Sequence, residues 1–145
     1  MIKPENIKGH LETITRHRHE VIKNCFRAGI GFQGLFHDLS KYSPTELIQG
    51  FKYYQGNRSP NNAEREDTGV STAWLHHKGR NKHHYEHWVD YAVNDPEHVI
   101  MGAKMPRKYV AEMDNHCTRT NLYASFVRLA LFSIKSITGQ ISGIH

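Results

Sequence analysis

At 145 residues the chain fits one domain with a single core, and its 38% hydrophobic and 23% charged residues describe an ordinary globular composition. No apolar run approaches the length that spans a bilayer, and two cysteines, Cys25 and Cys117, are too few for a disulfide scaffold and form no Cys-x-x-Cys zinc motif. A formal charge of +5 suits an anionic ligand without the dense basic run of a nucleic-acid tail.

The first residues, Met1 to Asn6, lack the charged-then-apolar build of a secretion signal, so the expectation is a cytoplasmic protein with reduced thiols and no membrane partner. Residues 5–27 read as the first helix, because Ile7, Leu11, Ile14, Val21, Ile22 and Cys25 recur at helical spacings. His17 lies one turn from both Ile14 and Val21 on one flank of that stripe, and His10 lies seven residues earlier on the same flank. Periodicity alone does not choose between His10, His17 and His19 as the inward-facing ring.

A short apolar segment, Ile30 to Phe36, ends in His37-Asp38, with Lys41 three positions on. Both residue types are usually exposed, and Asp is almost never fully buried unless paired or bound to a metal. An apolar lead-in to such a pair therefore suggests a polar centre set into the wall of a core. Ser43-Pro44-Thr45-Glu46 reads as a capping box that opens a helix from Pro44 to about Gln55. A turn-rich loop, Gly56 to Asn62, follows. Ala63 to Lys78 reads as the next helix, with Val70, Ala73, Trp74 and His77 inward and Gly79 as its stop; Gly69 argues against an unbroken run. His76 and His77 point about 100° apart, and periodicity favours His77.

Asn81 to Trp88 is polar and aromatic, and leads into a short helix ending near Val93. There His83, His84 and His87 read as a solvated polar turn anchored by Trp88. Asn94-Asp95-Pro96 is a turn, Met105-Pro106 opens another helix, and Leu122 to Ile137 reads as a last helix before a frayed tail at 138–145. Strand-like alternation is absent, so the expected fold is an all-α, single-domain helical bundle spanning residues 1–145.

The histidine inventory gives the polar centre its chemistry. There are 12, several of them clustered, and imidazole is the commonest metal ligand. In chain order His17, His37-Asp38, His76-His77 and a late Asp114 resemble the HD-domain superfamily of metal-dependent phosphohydrolases. Leu35-Phe36-His37-Asp38-Leu39-Ser40-Lys41 is similar to that superfamily's central motif. Up to about Met113 the chain also resembles a small uncharacterised bacterial family, through strings such as His37-Asp38-Leu39-Ser40-Lys41-Tyr42-Ser43, Ser59-Pro60-Asn61-Asn62-Ala63-Glu64 and Trp74-Leu75-His76-His77-Lys78-Gly79-Arg80.

The resemblance implies an HD-like helical fold and a metal set of His17, His37, Asp38, His76, His77 and Asp114, with Glu112 and His116 as alternatives to Asp114. It implies a reaction in which the metal activates water toward a small phosphate ester or nucleotide. Mixed nitrogen and oxygen donors suit one or two ions of manganese, iron, nickel, cobalt or zinc. Lys41, Arg80 and Lys82 would hold phosphate oxygens, and His84 would protonate the leaving oxygen. Two other readings use the same residues: a di-iron oxygenase on an HD-type scaffold, and a non-catalytic module whose basic patches bind nucleotide or nucleic acid.

Overall fold

A computed structural model describes residues 2–93, 97 and 99–117, with side chains through residue 114. It is predominantly helical. Helix α1 (Pro4–Arg27) starts on a proline at its first turn and buries His10, Ile14, Val21 and Cys25 on one stripe. Short α2 (Gly31–Leu35) doubles back against it. A 3-10 turn (Leu39–Tyr42) then leads to α3 (Pro44–Tyr53).

The expected capping box does not form at α3. Ser43 makes no side-chain cap. Its backbone N–H already donates to Ser40 O (2.9 Å), which leaves Glu46 without that amide as a partner. Glu46 instead turns into the protein, where it is 7% exposed.

The long helix expected over 63–78 is two helices, α4 (Pro60–Thr68) and α5 (Thr72–Arg80). Gly69 divides them at φ +81°, a left-handed conformation that its missing Cβ permits. Glu64 braces the junction by accepting from Ser71 Oγ (2.5 Å), Thr72 Oγ1 (2.6 Å) and Thr72 N (3.0 Å). Ser71 in turn caps α5 by accepting from Trp74 N (3.0 Å).

Beyond Asn81 the expected helix is replaced by a 3-10 turn (Tyr85–Trp88) and a two-stranded antiparallel hairpin. Strands β1 (Val89–Tyr91) and β2 (Ile100–Gly102) pair in the register Val89↔Gly102, Asp90↔Met101 and Tyr91↔Ile100. All six residues are exposed, so no buried face imposes the alternation a sequence reader looks for. Helix α6 (Arg107–Cys117) follows Pro106 and returns to α1. The turn at 94–96, the helix at 122–137, the frayed tail and the His116 side chain lie outside the described residues. Among the described residues no helix is long and apolar enough to cross a membrane.

The interior is unusually polar. Among the described residues the buried hydrophobic side chains are few and mostly small: Ile14, Val21, Cys25, Ala63 and Ala73. The largest fully buried side chains are instead His37, His77, Asp38 and Cys25. The helices pack around a cluster of imidazoles and carboxylates, which demands its own electrostatic solution.

Candidate metal centre

Asp38 is the hub. It stands at the bend between α2 and the 3-10 turn at φ 55°, the only non-glycine residue at positive φ among the described residues. Aspartate tolerates this left-handed conformation better than most residues, and such outliers gather at functional sites. Its side chain is 1% exposed.

Four rings surround the carboxylate. His17 Nε2 from α1 lies 3.6 Å from Oδ2, and His37 Nε2 lies 3.3 Å from the same oxygen. His77 Nε2 from α5 and His83 Nε2 from the following loop each lie 3.3 Å from Oδ1. His84 Nε2 is 2.9 Å from His77 Nε2. Lys41 Nζ reaches Oδ2 at 3.1 Å from its half-buried position.

A second ring of carboxylates holds the imidazoles from behind. Glu112 Oε1 on α6 accepts from His37 Nδ1 at 2.9 Å and faces His83 Nδ1 at 3.3 Å, while its other oxygen accepts from Gln33 Nε2. Glu46 Oε2 accepts from His77 Nδ1 (2.9 Å) and its Oε1 from His76 Nδ1 (2.7 Å). A carboxylate accepts only, so these bonds put an N–H on Nδ1 of His37 and of His77, and Nε2 of each ring is turned toward Asp38. Carboxylates behind the imidazoles are the usual second support of a metal site.

The electrostatics call for a cation. Among the described residues, three buried carboxylates at the centre, Asp38, Glu46 and Glu112, stand against one ammonium, Lys41 beside Asp38, which leaves an excess of two negative charges when the rings are neutral. Burial drives His77 below its ordinary pKa, with Lys41 adding to the effect, so this ring is neutral and ready to donate its lone pair. Burial opposes ionisation of Asp38, but Lys41 and the rings of His17, His37 and His83 hold its carboxyl well below the usual range. Glu112 likewise drops to about 2, because His37, His83 and Gln33 outweigh its burial. Burial would lower His83, yet Asp38 and Glu112 raise it.

The spacing fits as well. Two donors each about 2.1 Å from a tetrahedral ion stand about 3.4 Å apart, near the 3.3 to 3.6 Å separating the Nε2 atoms from Asp38. An N–H···O bond closes to about 2.7–3.2 Å, so three of these ring-to-carboxylate spacings sit just outside that range and one well outside it. Three donor groups could each hold an ion, their ligand atoms within 4.8 Å of one another: Asp38, His77, His83 and His84; His17, His37 and Asp38; and His37, His83 and Glu112. Asp38 belongs to the first two, one oxygen toward each.

Of the residues singled out in the sequence, His17, His37, Asp38 and His77 converge. His76 engages Glu46 and joins none of the three groups. Asp114 is exposed on α6; the carboxylate on the site is Glu112, two residues earlier, and an offset of two on a helix turns a side chain to the opposite flank. His84, expected as a proton donor, stands among the ligating atoms. His83, expected in a solvated turn, is 2% exposed at the heart of the cluster.

The expected phosphate clamp is divided. Lys41 lines a cavity of about 400 Å³ together with His17, His77, His10 and Tyr54. Arg80 and Lys82 line a second cavity of about 390 Å³ that reaches His83 and Glu112 from the side of α6. The centre thus lies between two cavities that share no wall residue.

No curated protein and no solved structure matches the chain. One family model does, over residues 6–117, a stretch that begins before His17 and ends beyond Glu112 and so holds every donor of the three groups. The chain belongs to that family, described as a family of unknown function, DUF5662.

Proposed function

We propose that the protein is a cytoplasmic, HD-domain-like metal-dependent phosphohydrolase that acts on a small phosphate ester. One observation carries the reading: the buried Asp38 carboxylate is ringed by Nε2 atoms from three separate parts of the chain, with Lys41 beside it facing a cavity. A divalent transition metal bound by this set supplies Lewis acidity toward a phosphoryl group and brings the acidity of water to about neutral pH.

The chain's own residues do the rest. His17, His37, Asp38, His77, His83 and His84 bind, with Asp38 shared between two donor groups. Glu46 and Glu112 fix the ring tautomers and orientations. The Lys41 ammonium, half-buried at the cavity wall, holds phosphate oxygens as a point charge. The surrounding helices bury Asp38, His37, His77 and His83, which strengthens the interactions among them.

The test is metal analysis of untagged protein, followed by a phosphomonoester panel with Asp38→Asn as control. About one or two equivalents of transition metal, and turnover lost in the variant, are expected. Protein that neither carries nor takes up Mn²⁺, Fe²⁺, Ni²⁺, Co²⁺ or Zn²⁺ refutes the reading. Because Asp38 turns one oxygen toward each of two donor groups, the geometry also suits an iron pair and an oxidative reaction. Oxygen uptake by iron-loaded protein that is inert toward every phosphate ester would favour that second reading.

A further inference from the structure

Helices α1 and α3 are locked together by two reciprocal contacts. At Gly9 of α1 a Cβ would come within 2.5 Å of the Tyr54 ring, and at Gly50 of α3 a Cβ would collide with His10 Nε2. Each helix thus gives up a side chain to admit an aromatic ring from the other. His10 stands edge-on to both Phe51 and Tyr54. The Tyr54 hydroxyl bonds Thr13 Oγ1 (3.2 Å), which donates to Gly9 O.

This crossing forms a wall of the cavity that Lys41, His17 and His77 also line. His10 is 9% exposed, and its Nδ1 is buried with no hydrogen-bond partner. It belongs to none of the donor groups. Burial, with Lys41 adding to it, keeps this ring below its ordinary pKa, so it is neutral and carries one donor and one acceptor. Among the described residues the only carboxylate on the cavity wall, Glu46, is occupied by His76 and His77. Away from Lys41, the wall at the α1–α3 crossing presents the His10 imidazole, the Thr13 and Tyr54 hydroxyls and the Tyr54 ring, and Arg58, the other cation on the wall, is paired with Glu66. A volume of about 400 Å³ exceeds what a lone phosphate fills, and suits a compact ligand.

We propose that this cavity is the recognition subsite for the organic part of the substrate, an uncharged hydroxyl-bearing ring of sugar size, with His10 as the specificity-determining residue and Tyr54 as its wall. This rests on the phosphoester reading of the centre. The phosphoryl group stays with Lys41 and the metal donors, and the ring fills the space between them and the α1–α3 crossing. Its hydroxyl supplies the partner that His10 Nδ1 lacks.

Non-hydrolysable probes separate recognition from turnover. Binding of methylphosphonate and of the phosphonate analogue of ribose 5-phosphate is measured by calorimetry on untagged, metal-loaded wild type, His10→Phe, His10→Gln and Tyr54→Phe, each first checked for folding by its melting curve. The ring-bearing probe is expected to bind about tenfold tighter than methylphosphonate. His10→Phe removes most of that increment and leaves methylphosphonate affinity within roughly a factor of two. His10→Gln, which keeps a donor and an acceptor, restores part of it, and Tyr54→Phe lowers it by roughly a factor of three. Equal weakening of both probes in His10→Phe marks a merely structural role and overturns the proposal. So does methylphosphonate binding with no increment for the ring. If neither probe binds, the phosphoester reading falls and takes the subsite with it, whereas binding without turnover of any ester leaves the subsite standing.

Discussion

Replacing Glu112 with glutamine tests the centre from behind. The carboxylate spans three donors: His37 Nδ1 and His83 Nδ1 on one oxygen and Gln33 Nε2 on the other. An amide of the same shape has one oxygen and one NH₂. With its oxygen toward the histidines, the NH₂ confronts that of Gln33; with the oxygen toward Gln33, it confronts the imidazole N–H groups. Either orientation strands a buried donor, at a cost of about 1–3 kcal/mol. The charge that orients both rings is also lost, and removing such a partner lowers metal affinity about 10- to 100-fold, or about 1.4–2.7 kcal/mol. Asp114→Asn, on the exposed flank of the same helix, should leave affinity unchanged. Competition with a chelator of known affinity measures both variants against wild type. Equal affinity in Glu112→Gln and wild type, or an equal loss in Asp114→Asn, refutes the assignment of Glu112 to the centre.

Other outcomes follow from the same geometry. Because the core is polar, a cation bound at a hundred times its dissociation constant should stabilise the fold by about 2.7 kcal/mol, and chelation should lower the melting temperature by about 5–10 °C, as calorimetry will show. Asp38→Asn keeps a residue that accepts the φ of 55° but removes the shared carboxylate; metal content should fall below about a tenth of an equivalent while far-UV circular dichroism stays helical. Gly50→Ala drives a methyl into His10 and should cost about 1–3 kcal/mol in denaturant unfolding, against little change for Gly79→Ala, where a Cβ meets open space. In metal-free protein Glu112 binds fewer protons folded than unfolded, since its pKa falls from 4.5 to about 2. Its contribution is therefore complete above about pH 4.5 and lost as the pH falls toward 2, and the acid limb of the stability curve should flatten in Glu112→Gln.

What could be read from the chain in advance follows a physical divide. Helical periodicity located α1 and the inner face of α5, because each lays a regular stripe against the interior, and the Ser43-Pro44 start located α3. It favoured His77 over His76, and in the structure His77 reaches Asp38 while His76 stops at Glu46. His83 gave no such signal, since residues 81–84 lie between regular elements where side-chain direction has no period. Glu46 was hidden by a better local explanation: Ser-x-x-Glu before a helix has the look of a cap, and only the tertiary fold shows two imidazoles competing for that carboxylate. Glu112 and Asp114 are both acidic on one helix, and their difference is one of rotation, which α6 reveals only when docked on α1. The short hairpin was illegible because none of its paired residues is buried.

The donors are shared out on either side of the exposed segment 55–59, with His17, His37 and Asp38 before it and His77, His83, His84 and Glu112 after it. A polypeptide nicked there would yield two fragments, the first keeping the group His17, His37 and Asp38 but neither holding the whole centre. Rejoining them would restore it, so added transition metal should act as the glue that makes the pieces find each other, and the severed protein should report on the ion by reassembling.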